Sequence, residues 1–149
     1  MPELPKQTRE TILVVDDDPS VRQVVVAALE KAGFTVLSAG NGPAAIRLAG
    51  EHDRVIDLLL SDVDMPAMSG PDLGEALKVS RPQIRVMLMS GGANGNLLVL
   101  NYGWAYIQKP FVATKLIEMV THVLHSADRS QPGGQGFDTR KDVVKRPEA

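Results

Sequence analysis

The chain has 149 residues, a net charge of −2 and 44 % apolar residues, which suits one ordinary globular domain with a substantial core. It contains no cysteine, so disulfides and thiolate metal sites are excluded, and the weak negative charge argues against nucleic acid as a partner. Because the sequence shows neither a membrane-spanning apolar run nor a signal peptide, we expect no membrane partner and a cytoplasmic location.

The first half of the chain alternates buried strands with helix starts. Residues 1–10 are polar and contain proline, which predicts a flexible leader. Apolar runs predict strands at 11–16, 35–39 and 57–61. A helix start follows each strand, because proline is placed in the first helical turn: Asp18-Pro19, Asn41-Gly42-Pro43 and Gly70-Pro71. The first helix is expected to bury one face: Val21, Val24, Val25, Ala28 and Leu29.

The second half continues the same alternation. Strands are predicted at 85–89 and 104–108, a short helix at 96–101 and a last helix at 114–126. Five strands alternating with helices predict an α/β fold with right-handed crossovers over residues 11–126. We expect a doubly wound, five-stranded parallel sheet in the flavodoxin-like order 2-1-3-4-5, with helices on both faces. The polar segment 127–149, which contains glycine and proline, is predicted to be a disordered tail.

Four of the predicted strands end on polar residues. Asp16 ends the first strand and Asp17 comes next, Asp62 follows the third strand, Ser90 the fourth and Lys109 the fifth. Because the carboxyl ends of parallel strands meet at one edge of a sheet, we expect these side chains to converge. Several acids with one hydroxyl and one lysine suggest a metal-assisted phosphate site.

The acids after the first strand are more numerous than a helix cap requires. Asp18 is interpreted as the cap alone, whereas Asp16 and Asp17 would repel one another at a buried strand end. A divalent cation offsets such repulsion, and Mg²⁺ suits oxygen ligands, with Mn²⁺ as an alternative. The backbone carbonyl of Asp64 is a further candidate ligand. The structural alternative is that these acids are ordinary turn residues.

Each remaining polar residue has a chemical and a structural interpretation. Asp62 can act as a nucleophile and form an aspartyl phosphate. Lys109 can pair with the carboxylates and then with a phosphoryl oxygen, or be an ordinary solvated lysine, and its bond to Pro110 is a candidate cis peptide. Ser90 can donate a hydrogen bond to a phosphoryl group or be a plain loop serine.

Two aromatic residues lie at alternate positions of the fifth strand. Trp104 and Tyr106 therefore share one face of the sheet. Core packing is the ordinary role of aromatic residues on a strand. The alternative is that Tyr106 swings between an exposed and a buried position.

Together these motifs resemble the receiver domain of two-component response regulators. The resemblance covers about residues 11–126 and depends on four motifs: Leu13-Val14-Val15-Asp16-Asp17-Asp18-Pro19, Asp62 with Met65-Pro66 and Gly70, Ser90, and Lys109-Pro110-Phe111. It implies that Asp62 accepts a phosphoryl group from a histidine kinase or a histidine phosphotransfer protein. It also implies an unknown downstream partner, with dimerisation as an option.

The resemblance assigns roles to the other site residues. The side chains of Asp17 and Asp62 and the carbonyl of Asp64 would bind Mg²⁺, with Asp16 nearby, in some cases through water. Ser90 and Lys109 would contact the phosphoryl group, and Tyr106 would take the place of the switch aromatic. Such a protein catalyses only its own phosphorylation and dephosphorylation, and is not otherwise an enzyme.

The sequence departs from the family pattern in two places. Gly91-Gly92 follows Ser90 where the family more often has alanine, and the stretch between Ser90 and Lys109 is about three residues shorter than usual. The segment after the last helix is too short for a helix-turn-helix effector, so we do not expect direct DNA binding. Two other functions stay open: a haloacid-dehalogenase-like phosphatase that uses Asp62 and Asp64, and a phosphorylation-independent interaction module.

Overall fold

The computed structural model describes residues 10–92 and 102–126. Within these ranges the strands are β1 Thr11–Val15, β2 Thr35–Ala39, β3 Leu58–Asp62, β4 Arg85–Ser90 and β5 Ala105–Gln108. The helices are α1 Pro19–Lys31, α2 Gly42–Glu51, α3 Gly70–Ser80 and α4 Ala113–Leu124. All strands pair in parallel, in the order β2-β1-β3-β4-β5, which confirms the predicted sheet.

Two apolar cores lie on opposite faces of the sheet. Ile12 and Val14 of β1 face one core, which α1 and α4 cover, whereas Leu13 and Val15 face the other, which α2 and α3 cover. Strands buried on both faces show continuous apolar sequences rather than alternation. The prediction of helices on both faces is therefore confirmed.

The strand register brings the predicted site residues to one edge. Val15 of β1 lies opposite Ser61 of β3, and Asp62 lies opposite Met89 of β4. Ser90 lies opposite Gln108 of β5, one residue before Lys109. We call this edge, formed by the carboxyl ends of the strands, the carboxyl edge, and the opposite one the amino edge.

Side-chain caps start three of the helices. Oδ1 of Asp18 accepts hydrogen bonds from the amides of Ser20 at 2.9 Å and Val21 at 3.4 Å, as predicted for α1. The Asn41 side chain caps α2. Helix α3 begins at Gly70, as predicted, and the hydroxyl of the preceding residue, Ser69, caps it. Each cap satisfies helix amides that have no intrahelical partner.

The structure corrects one face of α1 and several element ends. Val24 was expected to be buried, but 65 % of its surface is exposed. Helical residues advance by about 100°, so Val24 lies about 140° around the helix from the buried Leu29. Sheet pairing shifts strand ends by one residue: β1 ends at Val15, β3 spans 58–62, β4 extends to Ser90 and β5 begins at Ala105.

Several predicted segments lie outside the described residues. These are the short helix at 96–101, the tail at 127–149 and the leader except for Glu10. The last helix spans Ala113–Leu124 rather than 114–126. No helix in the described ranges is both long enough and apolar enough to cross a membrane.

Charged side chains at the amino edge bind backbone groups. The Arg81 guanidinium donates to the carbonyls of Ala49 and His52 at the end of α2, at 2.9 and 2.7 Å, and to that of Arg54 at 3.0 Å. Arg85 donates to two carbonyl oxygens at the end of α4, those of Val123 and Ser126. Asp57 accepts from the amide of Thr11 at 2.8 Å. Arg81 thus connects the ends of α2 and α3, Arg85 connects the end of α4 to β4, and Asp57 connects the starts of β3 and β1.

Candidate functional site

Three aspartates converge at the carboxyl edge of the sheet. Asp16 follows β1 directly, Asp17 is the next residue, and Asp62 ends β3, the neighbour of β1. Each carboxylate offers an oxygen, and these oxygens lie within 4.8 Å of one another. The three residues, called the acid cluster below, are thus brought together as the sequence predicted.

Lys109 bridges two members of the acid cluster. Its Nζ lies 3.0 Å from Oδ2 of Asp16 and 3.2 Å from Oδ1 of Asp62. The Lys109 amide donates to the Ser90 carbonyl at 2.8 Å, and the bond to Pro110 is cis. The lysine is therefore a fixed component of the site and not a solvated side chain.

Burial and neighbouring charges shift two pKa values in the site. Burial raises the pKa of Asp62, and the charges of Asp16 and Asp17 add to this effect, while Lys109 opposes it. Burial lowers the pKa of Lys109, but its hydrogen bond to Asp16 and the charges of Asp62 and Asp16 outweigh burial and raise it. One lysine offsets only part of the charge of three carboxylates, and the oxygen donor set fits a hard divalent cation.

The acids differ in how firmly they are held. Asp16 is fully buried, and its Oδ1 accepts from the Asp18 amide at 2.9 Å while its Oδ2 binds Lys109. Asp17 is exposed. Only 11 % of the Asp62 side-chain surface is exposed. Asp17 and Asp62 are therefore better placed than Asp16 to bind a cation directly.

A glycine holds the loop after β3 against Asp62. The Gly70 amide donates to the Val63 carbonyl at 2.8 Å, and a Cβ on Gly70 would lie only 2.2 Å from the Asp62 carbonyl oxygen. Any side chain at this position would push α3 away from the site. Asp64 is exposed, and its carboxylate is not part of the acid cluster.

Ser90 lies at the carboxyl edge, as predicted, and its hydroxyl is hydrogen-bonded to the loop that follows β4. The residue is buried, and its Oγ accepts a hydrogen bond from the Gly92 amide at 3.3 Å. This bond leaves the two exposed glycines, Gly91 and Gly92, attached to the end of β4. The Ser90 backbone lies next to that of Lys109, whose amide donates to the Ser90 carbonyl at 2.8 Å, while the Ser90 hydroxyl contacts its own loop.

The aromatic residues in β5 and just before it pack on the face covered by α2 and α3. Trp104 fills the space beside Gly74 of α3, where a Cβ would lie 2.8 Å from its ring, and Tyr102 stacks on it with ring centroids 4.6 Å apart. Tyr106 is half-buried on the same face, and burial raises the pKa of its hydroxyl. The predicted common face is confirmed, and Trp104 has the core-packing role.

Arg22 is a site residue that the sequence reasoning missed. Its Nη1 donates a hydrogen bond to the backbone carbonyl of Asp16 at 2.6 Å. Helical side chains point toward the helix N-terminus, so an arginine four residues after the Asp18 cap can reach back to the end of β1. This geometry was the only signal available in the sequence, and it does not specify an acceptor.

Comparison with known proteins identifies the family. The model of the response regulator receiver domain matches residues 12–121. The chain is 33 % identical over 121 residues to the sensor kinase CckA of Brucella abortus, covering 79 % of this chain and only 13 % of that protein.

Solved structures agree with this match. Chemotaxis protein CheY4 of Vibrio cholerae is 26 % identical with a TM-score of 0.71, over 78 % of this chain and all of that one. Response regulator TrrA of Thermotoga maritima, solved in complex with Mg²⁺-BeF, is 25 % identical with a TM-score of 0.69, over 77 % of this chain and 99 % of that one. The chain therefore belongs to the response regulator receiver domain family of two-component systems.

Proposed function

We propose that this chain is a phosphoacceptor in which Asp62 takes a phosphoryl group from a phosphohistidine. The observation that carries the proposal is the convergence of three carboxylates with Lys109, whose Nζ lies 3.2 Å from Asp62. Structural ion pairs rarely bring three like charges together, whereas phosphoryl transfer needs cations at such a place. In a receiver-family chain, this cluster is best explained as the phosphorylation site.

The transfer is an in-line displacement at phosphorus. An oxygen of the Asp62 carboxylate attacks the phosphorus atom, and the bond from phosphorus to the donor imidazole nitrogen breaks. The electron pair of that bond stays on the imidazole nitrogen, and because the other ring nitrogen of the donor carries a proton, the ring leaves as neutral imidazole. Lys109, already paired with Asp62, then neutralises an oxygen of the new phosphoryl group.

Mg²⁺ is the cofactor of this proposal, with Mn²⁺ as a substitute. The side chains of Asp17 and Asp62 and the carbonyl of Asp64 would hold the ion, and Asp16 would lie near it. When bound, a divalent cation screens the negative charge that otherwise repels an incoming phosphoryl group. The related protein TrrA was solved with Mg²⁺-BeF, which supports this choice.

Phosphorylation would move the end of β4. A phosphoryl group adds about two negative charges and three acceptor oxygens, so it competes with the present arrangement for the Ser90 hydroxyl. Ser90 would turn toward the phosphoryl group and release the Gly92 amide that it now binds at 3.3 Å. Tyr106 would then rotate inward on the same side of the sheet. Phosphate biases this equilibrium because it binds the two states with different affinity.

The biological context forms part of the same proposal. Residues 11–126 are the receiver unit, flanked by a leader and a tail. A histidine kinase or a histidine phosphotransfer protein is the donor, and the location is the cytoplasm. The matched region is only 13 % of the sensor kinase relative. Receiver units of this kind therefore occur in larger proteins of different output, and the downstream partner of this chain is unknown. The chain catalyses only its own phosphorylation and dephosphorylation.

The phosphatase hypothesis receives less support. It assigns a role to Asp62 and Asp64 only, whereas Asp16 and Asp17 share the site with Asp62 and the Asp64 carboxylate stands outside it. The family match likewise favours a receiver. The interaction-module hypothesis differs from our proposal in one respect: it requires no phosphorylation of Asp62.

Mass spectrometry after incubation with acetyl phosphate tests the proposal. We expect one added phosphoryl group on Asp62 when Mg²⁺ is present, with acetate as the leaving group, and none in excess EDTA. Asp62→Asn should abolish the mass shift. The control is Asp57→Asn, which changes an aspartate just before β3 at the amino edge. This variant should show the same mass shift as the parent chain. Full labelling of Asp62→Asn, or no labelling of the parent chain with Mg²⁺, would contradict the proposal.

A further inference from the structure

Arg22 occupies a slot between the ends of β1 and β2. Its Nη1 lies 2.6 Å from the carbonyl oxygen of Asp16. The floor of the slot is Gly40, one residue beyond β2, where a Cβ would stand 3.2 Å from the same nitrogen and 3.7 Å from Cζ. The absence of a side chain at Gly40 therefore leaves the space that the guanidinium fills.

The carbonyl that Arg22 binds belongs to the peptide unit joining Asp16 to Asp17. A peptide unit is planar, so fixing its carbonyl oxygen also fixes the direction in which the Asp17 backbone departs. Asp16 is held independently, because its carboxylate binds Lys109 and the Asp18 amide and its own amide donates to Ala39 at 3.3 Å. The Arg22 bond therefore acts chiefly on Asp17.

Asp17 depends on this backbone anchor more than its two neighbours do. Its carboxylate is exposed and makes no hydrogen bond or ion pair with residues 10–92 or 102–126, whereas Asp16 and Asp62 both contact Lys109. An exposed aspartate without such contacts samples several rotamers. Its oxygen nevertheless lies with those of Asp16 and Asp62 within 4.8 Å, and the backbone direction at Asp17 is what allows this.

We propose that Arg22 is a positioning residue for the divalent cation: by fixing the Asp16–Asp17 peptide, it keeps the Asp17 carboxylate aimed at Asp62. The guanidinium binds the Asp16 backbone carbonyl, so it positions the peptide without occupying a carboxylate oxygen of the acid cluster. This inference deepens the proposed function and depends on it only for the identity of the cation.

The first experiment measures Mg²⁺ affinity by calorimetry on the full chain, without any phosphodonor. Residues that orient metal ligands typically contribute about 10-fold or more to affinity. We therefore expect Arg22→Ala to weaken Mg²⁺ binding about 10-fold and Arg22→Lys to recover part of the loss. Gly40→Ala keeps the charge but crowds the slot, and should weaken binding less than Arg22→Ala. Arg47→Ala, an exposed arginine on α2, is the matched control and should bind like the parent.

A second measurement separates positioning from general stabilisation. In the metal-free protein, the backbone amide of Asp17 should show greater fast motion by NMR relaxation in Arg22→Ala than in the parent, with amides of β3 unchanged. At saturating Mg²⁺, labelling of Asp62 by acetyl phosphate should return to within about two-fold of the parent rate, because binding energy of the ion restores the ligand geometry.

The outcomes distinguish this inference from the proposed function. Unchanged Mg²⁺ affinity in both Arg22→Ala and Gly40→Ala overturns the positioning role, even if Asp62 is labelled normally. A lower melting temperature with unchanged affinity also overturns it, since the role would then be structural. If Asp62 is never labelled but the affinities fall as expected, the proposed function fails and the positioning role stands. If Arg22→Ala does not fold, Arg22→Lys and Gly40→Ala decide the question.

Discussion

The two edges of the sheet differ in whether they bring like charges together. At the amino edge, charged side chains bind backbone groups at the ends of helices and strands. Arg81 and Arg85 donate to carbonyls, and Asp57 accepts from an amide. At the carboxyl edge, Asp16, Asp17 and Asp62 are brought within 4.8 Å of one another, with Lys109 as the cation that contacts two of them.

The difference separates an edge whose charges stabilise the fold from an edge whose charges we propose bind the cation and the phosphoryl group. A charge that binds backbone dipoles satisfies groups that would otherwise lack partners, so it stabilises the fold. Like charges held together raise the free energy of the folded state, and burial raises the pKa of Asp62 further. Such unfavourable clusters are typical of functional sites, because a bound cation offsets the repulsion between the carboxylates.

Loss of Arg81 should give the largest change in stability. Arg81→Ala leaves the carbonyls of Ala49, His52 and Arg54 without their guanidinium donor. Hydrogen bonds from charged donors are worth roughly 1.5–3 kcal/mol, so we expect the free energy of unfolding to fall by about 3 kcal/mol in urea denaturation. The exposed Arg47→Ala should stay within about 0.5 kcal/mol of the parent. An equal effect of the two variants would remove the stabilising role of the amino edge.

Addition of Mg²⁺ should produce the next largest effect, this time at the carboxyl edge. A ligand at ten times its dissociation constant stabilises the native state by about 1.4 kcal/mol if it binds only that state. We expect this gain at neutral pH, measured as a shift of the urea midpoint. Asp17→Asn should reduce the gain, because it removes a carboxylate of the acid cluster. Asp57→Asn, at the amino edge, should retain it in full.

The third prediction compares the same change, aspartate to asparagine, at Asp62 on the carboxyl edge and at Asp57 on the amino edge. Folding raises the pKa of Asp62, so the folded state keeps its proton to higher pH than the unfolded chain. The stability associated with this group is present below the unfolded pKa of about 4 and is lost as pH rises through the folded pKa. In EDTA, Asp62→Asn should therefore stabilise the protein at pH 7, and the gain should shrink toward acid pH, measured by urea denaturation.

Asp57→Asn should act in the opposite direction. The Asp57 carboxylate accepts from the Thr11 amide at 2.8 Å, and a neutral amide oxygen accepts less strongly. A loss of about 1 kcal/mol is expected in the same denaturation series. If both asparagine variants change stability with the same sign at pH 7, the contrast between the two edges is broken.

Much of this architecture was readable from local sequence. The Asp-Pro pair at Asp18 predicted the cap and start of α1, and apolar runs located all five strands to within one residue at each end. The acids, Ser90 and Lys109 were assigned to one edge because parallel strands share their carboxyl ends. These inferences succeed because caps, apolar periodicity and strand polarity depend on neighbours in the chain.

Other features depended on partners distant in sequence. The exposure of Val24 followed from how α1 rotates against the sheet, which a broad apolar stripe does not specify. No sequence motif singled out the three arginines that bind backbone carbonyls, Arg22, Arg81 and Arg85, and the acceptors of Arg81 and Arg85 lie 27 to 41 residues away. A flexible arginine side chain can reach many acceptors, so the packing of the helices and strands determines which carbonyl it binds.

The sequence by itself determined the chemical inventory of the site: three carboxylates, a hydroxyl and a lysine, each at the end of an apolar strand. Only the tertiary structure decided the distances, placing Nζ of Lys109 at 3.0 Å from Asp16 and 3.2 Å from Asp62. It also decided that Asp16 is buried, whereas Asp17 is exposed and held only through its backbone. The physical reason is that residue type is a local property, whereas burial and charge proximity arise from the register and packing of strands that are distant in the chain.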